Sequence, residues 1–287
     1  HAQTFEQKDY LKWRALREKE DSRFLGLMLP RVLMRLPYED DGTHQESFQF
    51  QEDVAGPDCE KYLWGGAAFA FGGVLIRAFA RAGWLADIRG VIRDVDGGGL
   101  VAGLPVHSFR TDKFGVALKS STELAISSEL EKELSDLGFI PLCTCKDSEY
   151  SAFYSNPSVQ KPRQFDRAAA SMNARISSML QYMLCVSRFA HYIKAMGREK
   201  TGTFTEAAEF EKYLQRWIMR YVTADASATR ATKAQYPLRD AKIQVRPQPG
   251  SPGAFRCVMH LAPHYELDEL NASVRLVAEL KPSSPEA

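Results

Sequence analysis

Four residues carry the side chains that zinc prefers, namely Cys143, Cys145, His260 and His264. The two cysteines are one residue apart on a predicted strand, where successive positions alternate between the faces, so neighbouring side chains point apart. The two histidines lie on either side of a strand end and a proline, so they do not share a helix face. This spacing favours buried thiols and surface imidazoles over a metal site, and we expect no metal and no other cofactor.

A second set, His107, Ser108 and Asp112, superficially supplies the residue types of a hydrolase triad. Adjacent residues on an extended chain point in opposite directions, which disfavours that geometry. The hydrolase motifs GxSxG and HExxH are also absent from the sequence. We therefore predict that the protein is not an enzyme, and an unfamiliar active site remains the third-ranked alternative.

The composition is that of an ordinary globular protein. Of 287 residues, 45% are hydrophobic and 25% are charged, with 37 Lys plus Arg against 36 Asp plus Glu. A chain of this length can bury a large core and divide into two domains. Its longest uncharged stretch, residues 62–76, contains four glycines and is shorter than the roughly 20 apolar residues of a membrane-spanning helix. We expect no membrane span.

Two features bear on cellular location. The five cysteines are scattered and odd in number, which favours a reducing cytosol. The chain begins with His, Ala and Gln, without a basic and then apolar leader. We expect that sequence upstream of residue 1 is missing.

The character of the chain changes after the loop at residues 156–162. We therefore predict a first domain over residues 1–162 and a second over 163–287. Between residues 161 and 246 there are 16 Lys plus Arg against 7 Asp plus Glu, whereas the remainder has 21 against 29. This basic module could bind an acidic protein surface or a nucleic acid, or could present a solvated face that binds nothing.

Apolar residues at helical spacing predict one continuous helix in the second domain. They are Met172, Ile176, Met179, Met183, Val186, Ala190 and Ile193. At about 100° per residue, a cationic set falls together on another face of this helix, roughly 120° from the apolar seam. We predict that this set, Arg188, His191, Lys194 and Arg198, is accessible and binds a partner.

A second helix is predicted to start at Thr203, with Glu206 completing a capping box. Its buried face comprises Phe210, Tyr213, Leu214, Trp217, Ile218, Tyr221 and Val222. The spacing places Glu211 and Gln215, with Lys212 and Arg216, on a different face of the helix.

Three alternating segments follow and predict a sheet, at residues 241–246, 255–261 and 274–280. The fold class is therefore α+β, with a mixed first domain and a second domain of two helices and three strands. Three strands leave two open edges that could each accept a strand from another chain. The partner-binding residues predicted on this sheet are Arg239, Lys242, Gln244, Arg246, Val274 and Leu276.

Several segments of the chain resemble the large subunit of the type VI secretion contractile sheath, the TssC/VipB/EvpB family. The matching segments are residues 21–23, 29–31, 35–38, 62–65, 67–71, 104–107, 158–162, 187–194, 198–199 and 237–241. The resemblance extends over nearly the whole chain, and the segments occur in the family's order. One departure is Gly66, where the family pattern has Asn, and the family's amino-terminal portion is lacking, so the resemblance implies a carboxy-terminal fragment.

This resemblance implies a structural role without catalysis. The family's large subunit pairs with the small sheath subunit TssB/VipA and with neighbouring large subunits, forming a cylinder around the Hcp inner tube. Contraction of the cylinder drives effector delivery, and the ATPase ClpV recycles the contracted sheath. The last part of the chain is similar to a gpW/gp25-like domain, whose strands are exchanged between subunits.

The alternative is a cytoplasmic nucleic-acid-binding module that uses the same cations. Against it, the pI of the chain is about 7.8 and no nucleic-acid-binding motif is present. The helical aromatic residues also lie on the predicted packing face, where they could not stack on bases.

Overall fold

The computed structural model describes residues 2–40, 42, 50–54, 59–92, 95–109, 119–145, 148–200, 206–250, 254–264 and 274–280. Helices and sheets are both present, and among the described residues after 162 four helices precede three strands, so the predicted α+β class is confirmed. The triad candidate Asp112 and the capping candidate Thr203 lie outside the described residues.

The helices are α1 (Ala2–Phe5), α2 (Leu11–Arg17), α3 (Ala67–Ala82), α4 (Ser128–Asp136), α5 (Ala168–Ser177), α6 (Leu180–Glu199), α7 (Ala207–Ile218) and α8 (Arg230–Gln235). Short 3-10 turns are found at Lys8–Tyr10, Glu20–Phe24, Cys59–Lys61 and Met219–Tyr221.

The strands are β1 (Met28–Leu29), β2 (Val32–Leu33), β3 (Trp64–Gly65), β4 (Leu100–Val101), β5 (His107–Ser108), β6 (Lys119–Ser120), β7 (Ile140–Thr144), β8 (Ser151–Phe153), β9 (Leu238–Pro247), β10 (Phe255–Pro263) and β11 (Val274–Leu280). They form sheets of order β1-β7-β8-β4 and β11-β10-β9, and two-stranded pairs β2-β3 and β5-β6.

Contacts within the chain divide it into two compact units. Unit 1 comprises His1–Arg77 and Ile88–Gln160, and unit 2 comprises Ala78–Asp87 and Lys161–Ala287. The predicted domain boundary after residue 162 stays a prediction. The observed units differ from a single boundary in one respect, because the end of α3 and the segment up to Asp87 belong to unit 2.

Unit 1 is built around the sheet β1-β7-β8-β4. Its central strands β7 and β8 are buried, and their residues Leu142 and Phe153 are fully enclosed. The Phe71 ring of α3 packs edge-on against the Phe153 ring, with 5.1 Å between the ring centroids. The backbone is tightly packed at Gly99, whose N–H donates to the Gly90 carbonyl at 2.9 Å. A Cβ at Gly99 would overlap the carbonyl oxygen of Phe153, so this position requires glycine.

Unit 2 has two layers, with helices packed on one face of the antiparallel sheet β11-β10-β9. Alternate residues of β9 and β10 are buried against α6 and α7, as the alternation of the sequence predicts. The core is completed by Trp84, whose ring stacks on Phe189 at 4.1 Å between centroids. The core residues are Trp84, Met183, Cys185, Val186, Phe189, Ile193, Phe210, Leu214, Ile218, Leu238, Ala241, Ile243, Val245, Cys257, Met259 and Leu261.

The prediction of one continuous helix in unit 2 is wrong in detail. The apolar seam does not follow one helix, because the chain breaks between α5 and α6 at Met179, whose backbone is extended (φ −74°, ψ 132°). The next described helix, α7, begins at Ala207, and its N-cap residue Glu206 makes no side-chain capping hydrogen bond, whereas the predicted start at Thr203 lies outside the described residues. It ends at Ile218, and Tyr221 packs against the core from the following 3-10 turn.

Candidate functional site

The cationic residues predicted on α6 form one surface, which we call the helix surface. His191, Lys194 and Arg198 are exposed, as predicted. Arg188 is half-buried, so it is less accessible than the other three cations. Since the buried residues of α6 face the sheet, the helix surface lies away from it.

Aromatic rings hold Arg188 in place. Its guanidinium carbon lies 4.4 Å from the centroid of the Phe79 ring and 5.2 Å from that of Tyr192. Its Nη2 donates a hydrogen bond to the Tyr192 hydroxyl at 2.7 Å. The rings that surround this cation come from α3 and α6, and both are partly exposed.

Lys242, Gln244 and Arg246 lie on a second surface, the outer face of the sheet, which we call the sheet surface. Lys242 and Arg246 are exposed and Gln244 is half-buried, whereas Ala241, Ile243 and Val245 are buried in the core. The structure therefore does not bring the predicted residues into one site, because α6 packs on the opposite side of the sheet. Arg239, at the start of β9, is half-buried.

The register across the sheet surface places Arg246 of β9 directly opposite Arg256 of β10. Arg256 is in turn opposite Glu279 of β11, so its position is flanked by one like and one opposite charge.

The outer edge of β9 is closed by side chains of α7. Gln215 Oε1 accepts the Ile243 N–H at 2.8 Å, and Gln215 Nε2 donates to the Ala241 carbonyl at 2.9 Å. Glu211 Oε2 accepts the Val245 N–H at 2.8 Å. The side-chain amide of Gln215 thus pairs with β9 as a peptide group of a neighbouring strand would.

Both of these residues were predicted to face away from the packing surface, and both instead bind the sheet. The prediction of two equally open edges is therefore wrong. The N–H groups of Ala241, Ile243 and Val245 all have acceptors within the chain, since Asp240 Oδ1 takes the first at 2.9 Å.

The opposite edge is β11, which pairs with β10 alone in the described sheet. In an antiparallel ladder, alternate residues direct their backbone groups toward the neighbouring strand. In β9 the backbone groups of Ile243 and Val245 point outward, so their neighbours in the strand hydrogen-bond to β10. Following the register through β10 to β11 shows that the backbone groups of Val274 and Leu276 hydrogen-bond to β10. The outward N–H groups of β11 therefore belong to Arg275, Val277 and Glu279.

Gln215→Leu should lower the stability of unit 2. It leaves the Ile243 N–H and the Ala241 carbonyl without partners, at a cost of about 1–3 kcal/mol for each group that water cannot reach. Arg216→Leu, one residue along on the exposed side of α7, is the matched control and should change stability by less than about 0.5 kcal/mol. Urea unfolding followed by circular dichroism measures both. Equal midpoints for the two variants would contradict the edge-closing role of Gln215.

A cavity of about 40 Å³ in unit 2 is lined by Cys185, His264, Gln181 and Asp87 among others. It places a thiol, an imidazole and a carboxylate around one space, which are groups that nucleophilic catalysis can use. Burial raises the pKa of Cys185 to about 12, which keeps the thiol protonated and unreactive. Burial, with the charges of Lys233 and Arg239, lowers the pKa of His264. The cavity does not supply an activated nucleophile.

The zinc-type side chains of Cys143, Cys145, His260 and His264 were expected not to bind a metal. The described residues contain no group of three or more His, Cys, Asp or Glu side chains suited to an ion. Burial raises the pKa of Cys143 to about 12, and this opposes the thiolate form that zinc requires.

None of the described helices has both the length and the apolar content that crossing a membrane requires.

The sequence reasoning missed Phe79, Trp84, Glu211 and Gln215. Glu211 and Gln215 are four residues apart and so share a helix face, but that spacing does not reveal that the face meets a strand edge. Phe79 and Trp84 precede the basic module by more than 70 residues in the chain, and no local pattern connects them to it.

Comparison with known proteins gives a separate family match for each half of the chain. Residues 1–160 match the family described as EvpB/VC_A0108, tail sheath N-terminal domain, and residues 169–280 match the EvpB/VC_A0108 tail sheath gpW/gp25-like domain. The type VI secretion system sheath protein TssC1 of Pseudomonas aeruginosa is 44% identical over 280 residues. That match covers 97% of this chain and 55% of the relative, so the chain spans about half the length of the curated relative.

The resemblance found in the sequence is thereby confirmed by matches over both halves and by the identity to a sheath protein. With its α+β fold and a gpW/gp25-like second half, the chain belongs to the EvpB/VC_A0108 tail sheath family of the type VI secretion system.

Proposed function

We propose that this protein is a structural subunit of the type VI secretion contractile sheath. It pairs with the small sheath subunit TssB/VipA and with neighbouring large subunits, in a cylinder around the Hcp tube whose contraction drives effector delivery. The observation that carries the proposal is the family match over residues 1–160 and 169–280. The protein works in the bacterial cytoplasm and without catalysis, and ClpV acts on the assembled sheath.

The β11 edge supports one way of joining copies. A strand from another subunit can add to it through main-chain hydrogen bonds, whereas the β9 edge is already engaged by Gln215 and Glu211. Main-chain bonds of this kind keep subunits connected while rigid bodies rotate. The strand pairing therefore suits a lattice that changes shape without coming apart.

The helix and sheet surfaces support a second kind of contact. Both present cations, which suit an acidic neighbour such as the tube. Exposed ion pairs contribute about 0–1 kcal/mol each, so these contacts could release during contraction. No observation in the described residues favours the nucleic-acid alternative.

Electron microscopy tests the proposed function directly. The complete protein, coexpressed with its small sheath subunit, should yield hollow striated cylinders. A protein that stays monomeric in that mixture would rule out the sheath role.

The charge contact has its own prediction. Lys194→Glu together with Arg198→Glu should weaken tube-templated assembly about tenfold at low salt, and less at high salt because salt screens exposed charges. Lys212→Glu with Arg216→Glu makes the same charge change on the exposed side of α7 and serves as the control. The measurement is cylinder yield against Hcp concentration at several salt concentrations. Equal yields for the two double variants would argue against the helix surface as a binding site.

A further inference from the structure

Arg188 differs from the other cations of the helix surface because the chain holds its side chain in place. Phe79 and Tyr192 lie on its guanidinium, and the Tyr192 hydroxyl accepts one of its N–H groups. Long cationic side chains lose much rotamer freedom when they bind, and that loss subtracts from affinity. For Arg188 most of this ordering has already occurred in the folded protein.

The guanidinium retains donors for a partner. Arginine has five N–H groups, and Tyr192 takes one of them at Nη2. The Nε–H is enclosed and has no acceptor among the described residues, so a partner carboxylate would bind at the Nη1 and Nη2 ends of the guanidinium. A planar fork with unused donors matches a carboxylate, which can accept two parallel hydrogen bonds from it.

We propose that Arg188 is the anchor residue with which the helix surface binds a carboxylate on a partner protein. The proposal deepens the proposed function and rests on it for the kind of partner, a neighbour in the sheath. Phe79 and Tyr192 flank the anchor as ring contacts, being 44% and 37% exposed. Lys194 and Arg198 add positive charge to the same surface, so the complementary surface is acidic.

The surroundings favour a protein over a nucleic acid. Arginine, tyrosine and phenylalanine are enriched at protein interfaces, and binding energy concentrates in such residues. A nucleic acid would need open ring faces on which bases stack. Here the guanidinium lies over both rings, and each ring is more than half covered.

The geometry makes the effect of substitutions specific. Arg188→Lys keeps the charge but loses the planar fork and the stacking on the rings. Phe79→Leu keeps the arginine but removes one ring that restrains it. Lys194→Gln removes a charge of the same sign from the same surface without touching the anchor.

The test is binding of a fluorescent decaglutamate peptide to this chain, followed by anisotropy at fixed salt. Arg188→Lys should weaken binding about tenfold, Phe79→Leu about threefold, and Lys194→Gln about twofold or less. Binding unchanged by Arg188→Lys, or weakened equally by Lys194→Gln, would show that affinity follows net charge and would overturn the proposal. Circular dichroism and thermal unfolding establish that each variant is folded.

Two further arms separate the possible failures. A single-stranded DNA of equal charge should bind without a special dependence on Arg188; if DNA binding depends on Arg188 more strongly than peptide binding does, the partner is a nucleic acid and the proposal is wrong. Cylinders formed by an Arg188→Lys variant whose peptide binding is unaltered would remove the anchor role and leave the sheath role standing. Failure of the unsubstituted protein to form cylinders would count against the sheath role alone.

Discussion

Val277→Pro is expected to abolish cylinder formation while leaving unit 2 folded. By the register of the sheet, the Val277 N–H points away from β10, so proline at this position removes a donor from the outer edge and none from the β10-β11 ladder. Proline is tolerated on edge strands where the N–H faces outward. An added strand would lose a central hydrogen bond and meet the proline ring, so strand addition should fail.

The adjacent residue provides the control. The Leu276 N–H points toward β10, so Leu276→Pro should break the ladder and lower the stability of unit 2 as well as assembly. Electron microscopy of each variant with the small sheath subunit, together with thermal unfolding, separates the two effects. Normal cylinders from a folded Val277→Pro variant would show that strands do not add at the β11 edge.

Phe189→Ala should produce the largest loss of stability. Phe189 is completely buried, stacks on Trp84, and meets Trp217 and Tyr221 edge-on at 6.0 and 5.8 Å. Removing its ring leaves a cavity among three other aromatic rings that cannot collapse to fill it. We expect a loss of about 3–5 kcal/mol in the free energy of unfolding of unit 2.

Phe165→Ala makes the same substitution at a side chain that is 51% exposed in unit 2, and should cost less than about 1 kcal/mol. Chemical denaturation followed by tryptophan fluorescence measures the difference, since Trp84 and Trp217 both lie against Phe189. A loss below 1 kcal/mol for Phe189→Ala would mean that the aromatic cluster does not hold α6 to the core. The helix surface should also lose its geometry in this variant, because α6 carries it.

The sheet of unit 2 could be predicted from the sequence because its signal is local. Buried residues alternate with exposed or half-buried ones from Ala241 to Arg246 of β9, and the buried set predicted on β9 and β10, including Ile243 and Met259, belongs to the observed core. On β10, Val258 is buried as well. The family could be identified for a related reason, since short segments such as residues 187–194 retain its pattern. Both kinds of signal are contained within a few consecutive residues.

What could not be predicted depends on contacts between distant segments. The break at Met179 preserves the spacing of apolar residues, and no glycine or proline marks it. Gln215 binds β9 residues 26 and 28 positions further along the chain, and its polarity suggested a solvated position instead. The immobilisation of Arg188 depends on Phe79, which precedes it by more than 100 residues.

The two borders of the sheet in unit 2 differ, because α7 side chains occupy one and β11 forms the other. Two copies that met border to border would therefore pair β11 against β11, an isologous contact that uses the same strand twice and closes on itself. A repeating array joined through this sheet therefore requires a donor strand from another part of the molecule.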